Sequence, residues 1–390
     1  MNKPYFFKIL FFGLLIVPVM VSFSDGAKAQ TGEETFNARV AEVLEQKTVP
    51  SEDGAPIIQQ KLKLKGLSGS WDDKEIIFDG TQHEVISAST YQVGDKVMVN
   101  SSKDADGNDV FYVTDYVRQG AIYWLAALFA LVVVAVGRLK GFRALIVLIL
   151  TFLVILKFIV PRILAGNSPL FISIVGSLFI LVVSVYITEG FKRTSTVAVF
   201  SIFIALVITG LLSVWFTALT KLTGFASDEA IYLMGLAGQN INVQGLLLAG
   251  IIIGALGVLD DVIISQVILV KELKQANLRL SNRQVFSQAM KVGVSHMSAM
   301  VNTLFLAYAG AALPLLILFS VKEPPFLTFS QVLNNEIVAT EIVRTLTGSV
   351  GLVLAMPIAT ILAVFFISAS HQTPITQEKT VRDYQSELEK

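Results

Sequence analysis

Seven long apolar runs follow residue 119 and constrain the fold more than any other feature of the sequence. They lie near residues 121–137, 144–163, 168–188, 195–219, 244–270, 297–320 and 346–369. A helix needs about 20 apolar residues to cross the hydrocarbon core of a bilayer, and each run is close to that length. Only 15% of the 390 residues are charged, against about 25% in soluble proteins. The sequence therefore predicts an α-helical polytopic membrane protein with about seven transmembrane helices.

Residues 30–118 differ from this helical part because they are polar and contain short runs with the composition of β-strands. Turn signals such as EDG and DADGND separate the runs. The five runs are NARVAEVLEQ, IIQQKLKLKGL, KEIIFDG, DKVMVN and VFYVTDYVR. Five strands in a segment of this length favour a small β-barrel of OB-like type. We expect a β domain at 30–118, a transmembrane helical domain at 119–370 and a tail at 371–390.

The first 29 residues have the layout of a secretory signal peptide. Lys3 and Lys8 precede an apolar run, and Ala27-Lys28-Ala29 provides a cleavage motif. An uncleaved first helix is the alternative, and either reading places the β domain outside the cytoplasm. Lys and Arg gather in segments 138–143, 191–193 and 271–291 and in the tail, and such segments remain cytoplasmic. We therefore expect an extracytoplasmic β domain and a cytoplasmic C-terminus.

Composition and motifs argue against several classes of function. The 30 basic and 30 acidic residues give a net charge of zero, so no nucleic-acid partner is expected. The absence of cysteine excludes disulfides, thiol catalysis and cysteine metal sites. No nucleophile motif, HExxH motif or Walker A sequence occurs. We expect neither an enzyme nor a cofactor, and the sequence leaves a metal site open.

Two adjacent aspartates interrupt the apolar stretch GALGVLDDVIISQ. Helical periodicity places Asp261 on one narrow face with Gly250, Gly254, Gly257 and Ser265. Glycines at this spacing let another helix approach, so we expect Asp261 to face a helix contact or a wet crevice. Asp260 lies about 100° away and is expected to be less buried in protein. A carboxylate in the membrane centre costs about 2.5–3.5 kcal/mol, which favours a proton or cation site over a structural carboxylate or one in the headgroup zone.

The next predicted helix also has a small and polar side, formed by Ser298, Ala299, Asn302, Thr303, Ala309 and Gly310. Met297, Met300, Leu304 and Phe305 occupy the other side. Because the two helices run antiparallel, Asn302 and Asp261 are expected at similar depth. His296, near the inner boundary, either relays protons or is merely interfacial. The predicted ion, proton or substrate site consists of Asp260, Asp261, Ser265, His296, Asn302 and Thr303.

The last apolar run begins with charged residues in the segment 334–357. Glu341 and Arg344 are three residues apart and can pair on one side of a helix. With Glu336 they form a predicted charge cluster at the outer end, for which the alternative is an interfacial ion pair with a snorkelling arginine. Gly348 and Gly351 continue a small face along this helix and predict close helix packing.

With these residues in view, the chain resembles the YibE/F-like family of bacterial membrane proteins. The likeness rests on GLLLAGIIIGALGVLDDVIISQ (245–266), NTLFLAYAGAALPLL (302–316) and NNEIVATEIVRTLTGSVGLVLAMPIAT (334–360). The resemblance covers roughly residues 119–370 and implies a multi-pass protein with an extracytoplasmic N-terminal domain. It places the marked residues of the family motif on Asp261, Ser265, Asn302, Glu336, Glu341 and Arg344. One departure is GVSHM at 293–297, where relatives often have an Arg-Asp-His run.

The resemblance implies no particular activity, so the functional expectation rests on the residues. We expect a plasma-membrane transporter or permease component with a proton- or cation-coupled site at Asp261. The alternative is a non-catalytic envelope scaffold or assembly protein whose external β domain binds a partner. The expected partners are the lipid bilayer, with a protein partner of the external domain and a homo-oligomer left open.

Overall fold

A computed structural model describes residues 34–50, 56–81, 90–104, 107–226, 228–237, 241–324 and 326–367. The chain divides into two compact units, Met1–Val136 and Gly137–Lys390. The predicted signal peptide at 1–29 and the predicted tail at 371–390 lie outside the described residues, and both stay predictions.

The first unit contains an antiparallel sheet of five strands at the positions that the five sequence runs predict. The strands are β1 (Glu34–Pro50), β2 (Pro56–Gly66), β3 (Glu75–Asp79), β4 (Lys96–Lys103) and β5 (Asp109–Tyr116). Their order in the sheet is β3-β2-β1-β4-β5. A short 3-10 helix, Gly69–Trp71, lies between β2 and β3.

One face of this sheet carries the core of the unit. Alternate residues of each strand are buried, as expected where successive side chains point to opposite faces. The buried side chains are those of Phe36, Ala38, Val40, Leu62, Leu64, Ile76, Phe78, Tyr91, Val97, Val99 and Val113. Trp71 packs against this core, with its ring 4.8 Å from Phe111 and 6.1 Å from Phe36. The core of the unit therefore lies on one apolar face of the sheet and not inside a closed cylinder.

The expectation of a closed barrel is therefore wrong, because the described strands form an open sheet. Strands β3 and β5 are its edges, and no ladder joins them within the described residues. Strand β3 is only five residues long and pairs with β2 between Lys61 and Lys65. The rest of β2 pairs with β1 as far as Pro50 and forms a two-stranded ribbon. The sheet thus lacks the continuous pairing that a barrel requires.

The remaining described residues are mostly helical. The helices are α1 (Gln119–Val154), α2 (Val160–Leu164), α3 (Pro169–Glu189), α4 (Arg193–Leu219), α5 (Asp228–Ala237), α6 (Val243–Ala276), α7 (Asn282–Ala311), α8 (Leu313–Val321), α9 (Phe329–Asn334) and α10 (Glu336–Phe366). A π-helical turn at Ile155–Ile159 makes α1 and α2 continuous. Between α3 and α4, Gly190 adopts a positive φ of 82°, which lets the chain reverse within three residues.

Five described helices are long and apolar enough to cross a membrane, or six if the bent pair α7 and α8 is one span. The first two predicted spans fall within a single 46-residue stretch, Gln119–Leu164. Arg138 within it has a non-helical φ of 50°. Helix α7 begins at Asn282, within the basic segment 271–291, and the pair α7 and α8 is bent by 65°. The structure therefore supports a multi-pass protein, while the count of seven stays a prediction.

Helices α4, α6 and α10 form the centre of the second unit. Their facing residues are apolar or small, including Ile202, Leu259, Ile263, Leu352 and Met356, all almost fully buried. Buried hydroxyls on α4 bond back to carbonyls of the preceding turn, as Ser201 does to Val197 and Thr209 to Ala205. This arrangement satisfies the polar groups within the helix and leaves its surface free to pack.

Candidate functional site

The two aspartates lie in the middle of α6, but their environments differ from the sequence expectation. Asp260 is partly buried, whereas Asp261 is exposed. The reason is the direction of the core face of α6, on which Leu259, Val262 and Ile263 pack against α4 and α10. Asp260 lies at the margin of this face, and Asp261 points away from it. Asp261 is therefore open to whatever surrounds the single chain.

The structure brings His296 on α7 toward Asp261 on α6. Helix α7 runs antiparallel to α6 after the turn at 277–281, and this brings His296 within electrostatic range of the Asp261 carboxylate. Both side chains are exposed. The structure thus unites two of the predicted site residues.

The other predicted polar residues of this region point outward. Met297, Met300 and Leu304 turn toward the core, so Asn302 and Thr303 on the opposite side are exposed. The Thr303 hydroxyl donates to the Ala299 carbonyl at 2.9 Å. Ser265 on α6 is also exposed. Within the described residues, no hydrogen bond joins the Asn302 amide to the Asp261 carboxylate in the single chain.

At the start of α10 the structure separates the predicted charge cluster into two parts. Glu341 and Arg344 form an ion pair with 3.1 Å between Oε1 and Nη1. Glu336 instead accepts hydrogen bonds from the backbone amides of Thr223 and Gly224 and from the Thr223 hydroxyl. Glu336 therefore fixes the loop after α4 to the first turn of α10, whereas Glu341 and Arg344 remain available for another role.

Tyr308 connects the two polar ends of this region. Its hydroxyl oxygen lies 3.6 Å from the position that a Cβ on Gly254 would occupy. The same side chain lies within electrostatic range of Glu341 and Arg344. We call the set Gly254, Asp261, His296, Tyr308, Glu341 and Arg344 the polar seam. It follows α6 from Asp261 to Gly254, a rise of about 10 Å, and reaches α10 through Tyr308.

The glycines that predict helix packing behave in two ways. A Cβ added at Gly351 would collide with the Thr209 hydroxyl, so here α10 and α4 are in close contact. A Cβ at Gly250, Gly257 or Gly348 would meet no described neighbour within 4 Å. Apart from Gly254, which meets Tyr308, the small face of α6 has no described neighbour in the single chain, and helix packing at Gly250 and Gly257 stays a prediction.

Two polar residues that sequence reasoning missed join helices near the carboxyl ends of α6 and α10. Gln266 is 3% exposed, and its amide donates to the Ala289 carbonyl on α7 and to the Thr360 hydroxyl on α10. Lys274 donates to the carbonyls of Val364 and Ile367 at the end of α10. The signal for Gln266 was a lone amide on the apolar side of α6, five residues after Asp261.

No group of three histidine, aspartate or glutamate side chains able to hold a metal ion occurs in the described parts of the chain. The charges near Asp261 are one adjacent carboxylate and one imidazole. Such a site has the chemistry to bind a proton or a single cation whose remaining ligands come from water or from another molecule.

Comparison with known proteins agrees with the motifs that line the polar seam. Searches of curated proteins and of solved structures gave no match. A family model described as YibE/F-like protein matches residues 125–369, which is more than half of the chain and includes all six residues of the seam. The chain belongs to the YibE/F-like family.

Proposed function

We propose that the chain is a transporter or permease component of the bacterial plasma membrane, with Asp261 as its proton- or cation-binding site. The observation that carries the proposal is the carboxylate of Asp261, which lies in the middle of the apolar helix α6 on a face left open by the core. His296 of the antiparallel helix α7 lies within electrostatic range of it. An ionisable pair within membrane helices is costly, and such residues usually line ion pathways or proton relays. A transport role would explain why the pair lies on an open face instead of being sealed in the core.

The polar seam suggests how a proton or cation would move. Asp261 binds it at the inner end of the seam, within electrostatic range of His296. Tyr308 and the Glu341–Arg344 ion pair form the second polar end. Gly254 lies between the two ends and presents no side chain to obstruct the route. The seam therefore has two polar ends, and the small residue Gly254 lies between them.

A second function, an envelope scaffold or assembly protein, is favoured by a different observation. The exposed face of α7 presents Ser298, Asn302 and Thr303 in the middle of an apolar region. Polar side chains of this kind rarely face lipid and commonly hydrogen-bond across helix contacts. A second copy of the chain or a partner helix that covers this face would provide those contacts, and the external sheet would then dock an envelope partner.

Reconstitution into liposomes tests the transport proposal. The full chain is incorporated with a pH-sensitive or cation-sensitive dye inside, and flux is measured under an imposed gradient. Asp261→Asn keeps the shape of the side chain and removes its charge, so we expect at least a tenfold loss of flux with normal abundance. Asp260→Asn is the matched control, because Asp260 lies at the margin of the core face, and we expect at least half of the flux to remain.

Two results would favour the scaffold instead. One is equal flux from the wild type and Asp261→Asn, or no flux above that of empty liposomes for any ion tested. The other is efficient disulfide cross-linking between copies carrying Asn302→Cys, combined with an unaltered phenotype of Asp261→Asn. The natural chain has no cysteine, so a single introduced thiol reports only on the chosen face.

A further inference from the structure

A groove of about 810 Å³ opens at the end of the second unit where α3 turns into α4. Lys192 and Arg193 lie at its mouth, and the end of α10 forms its opposite wall with Leu362 and Phe366. The volume is within the usual range for a bound small molecule. None of the residues of the polar seam lines this groove, so it requires an explanation of its own.

The wall of the groove on α4 is a single stripe that changes from charged to apolar. Arg193, Val197, Phe200 and Ile204 are spaced by four, three and four residues, which places them on one face of the helix. From Arg193 to Ile204 the helix rises about 16 Å. That length is about half of the 30 Å hydrocarbon core. The stripe is therefore about as long as one leaflet is deep, and Arg193 lies at its surface end.

Lys192 and Arg193 have no anionic partner within the described residues. Glu189, three residues earlier, has its carboxylate 3.3 Å from the Lys140 ammonium and is thereby engaged. The amide groups of the first turn of α4 lack a side-chain cap, and such groups attract anions. The mouth of the groove thus carries two positive charges and free amide donors, with no acidic residue among its lining.

The boundary between the charged mouth and the apolar wall is polar and aromatic. The hydroxyls of Tyr186 and Thr196 lie 3.1 Å apart, and the ring of Phe191 stacks on Tyr186 at 4.7 Å. Tyrosine is enriched at the headgroup level of membranes, where its ring is in apolar and its hydroxyl in polar surroundings. Phe191 is 88% exposed in the single chain, so the surrounding medium must cover it.

The charge of this end of the molecule indicates which leaflet it faces. Lys140 pairs with Glu189 at the end of α3, and Lys274 binds the last carbonyls of α10 beside Phe366. Basic residues that gather at one end of a helical bundle favour the cytoplasmic side. The cytoplasmic leaflet contains anionic lipids, and each nearby Lys or Arg strengthens attraction to them.

We propose that this groove binds one anionic phospholipid of the cytoplasmic leaflet. Its phosphate lies against Lys192, Arg193 and the first amides of α4, its glycerol region lies beside Tyr186 and Thr196, and an acyl chain follows Phe200 and Ile204 opposite Leu362. A free phosphate would use only the mouth and leave the apolar wall empty. The continuous stripe is therefore the feature that favours a lipid.

Native mass spectrometry of the full chain in detergent tests the proposal. Phosphatidylglycerol and phosphatidylcholine with the same acyl chains are titrated separately, and inorganic phosphate is a third arm. We expect phosphatidylglycerol to bind about 5- to 30-fold more tightly than phosphatidylcholine. Lys192→Gln with Arg193→Gln should abolish that preference. The matched control, Arg279→Gln with Arg283→Gln, removes two exposed cations outside the groove and should keep it.

Several results would overturn the lipid assignment. These are an unchanged preference in the Lys192 and Arg193 double variant, equal binding of both lipids by the wild type, and displacement of phosphatidylglycerol by inorganic phosphate. Binding that appears only after deletion of residues 371–390 would make that segment the natural occupant. If the double variant elutes as an aggregate, Lys192→Gln alone replaces it, and we then expect a partial loss of preference.

Discussion

Gln266 illustrates how much one side chain can contribute to the bundle. Its amide reaches Ala289 at 3.1 Å and Thr360 at 2.8 Å and so joins α6, α7 and α10. Interhelical hydrogen bonds in membranes contribute about 0.6 kcal/mol on average and up to about 1.7. We expect Gln266→Leu, which keeps most of the volume, to lower the free energy of unfolding by about 1–2 kcal/mol.

Thermal unfolding of the detergent-solubilised chain measures this effect. Ser265→Ala is the control, because Ser265 is the adjacent residue and is exposed. A melting temperature of Gln266→Leu equal to that of Ser265→Ala would mean that the amide contributes no net stability. A larger loss in Gln266→Ala than in Gln266→Leu is expected as well, since it leaves a cavity.

Asp79 links the stability of the β-sheet to pH. A hydrogen bond from the Lys61 ammonium, followed by bonds from Thr81, lowers the pKa of Asp79 from 3.8 to about 2. Because the folded-state pKa is depressed, this stabilisation is fully present above pH 3.8 and is lost as the pH falls through about 2. The same pair raises the pKa of Lys61 above 10.5, so its contribution is also lost in strong alkali.

We therefore expect Asp79→Asn to lower the melting temperature of the sheet at pH 7 and to match the wild type near pH 2. Fluorescence of Trp71 reports on this unit when Trp124 and Trp215 are replaced by phenylalanine. Asp109→Asn is the control, since its ion pair with Lys103 is longer, at 3.8 Å, and exposed. A constant difference between Asp79→Asn and the wild type from pH 7 to pH 2 would contradict the assignment.

At the scale of elements, the contact of α4 with α10 depends on Gly351. A Cβ there would meet the Thr209 hydroxyl, which is fully buried. Overpacking of this kind costs about 1–3 kcal/mol. We expect Gly351→Ala to destabilise the chain by that amount, while Gly348→Ala, which meets no described neighbour, gains up to about 1 kcal/mol from helix propensity.

A double-mutant cycle sharpens the test of this contact. Thr209→Ala removes the hydroxyl that the new methyl group would strike, so the double variant with Gly351→Ala should recover part of the lost stability. Strictly additive losses would show that the loss in Gly351→Ala does not come from a clash with the Thr209 hydroxyl. Equal melting of the Gly351→Ala and Gly348→Ala chains would contradict close packing directly.

The sequence predicted which segments form strands and helices better than it predicted which face of each helix is buried. Strands β1 to β5 and most of the helices follow from alternation and from the length of the apolar runs, which are local properties. The direction of each face depends on its neighbours. Asp261 shares a face with Gly254 in the sequence pattern, yet that face lies away from α4 and α10 because their packing selects Leu259 and Ile263. No local sequence pattern shows which face of α6 packs against the neighbouring helices.

At the scale of the whole molecule, the predicted topology places the β domain outside the cell and the C-terminus inside. The chain has no cysteine, so single thiols can be introduced at Ser70, which is exposed in the β-sheet unit, and at Ser386. In intact cells we expect a membrane-impermeant reagent to label Ser70→Cys. Ser386→Cys should react only after the cells are opened. Labelling of Ser386→Cys from outside would contradict the seven-helix topology.

The sequence did not predict that the β-sheet is open, nor how far each helix continues. The open sheet arises because β3 has only five residues and forms one ladder, and strand length is the least certain part of a sequence pattern. The first part of the sixth predicted span continues a helix that begins at Asn282, α7, and the chain bends at Ala312 before Pro314 and α8. The proximity of Asp261 and His296 depends on the antiparallel packing of α6 and α7. Hydropathy predicts the two helices but gives only an approximate indication of how they pack.

The bond between Lys274 and the end of α10 has a consequence for biosynthesis. Lys274 emerges from the ribosome 90 residues before Val364, whose carbonyl it will bind. At a synthesis rate of about 5–20 residues per second, the ribosome takes roughly 5–20 s to add the residues between Lys274 and its partner. During that interval α6 is already made but the carbonyl that its lysine will bind is not, so this contact can form only after almost the whole of α10 has been synthesised.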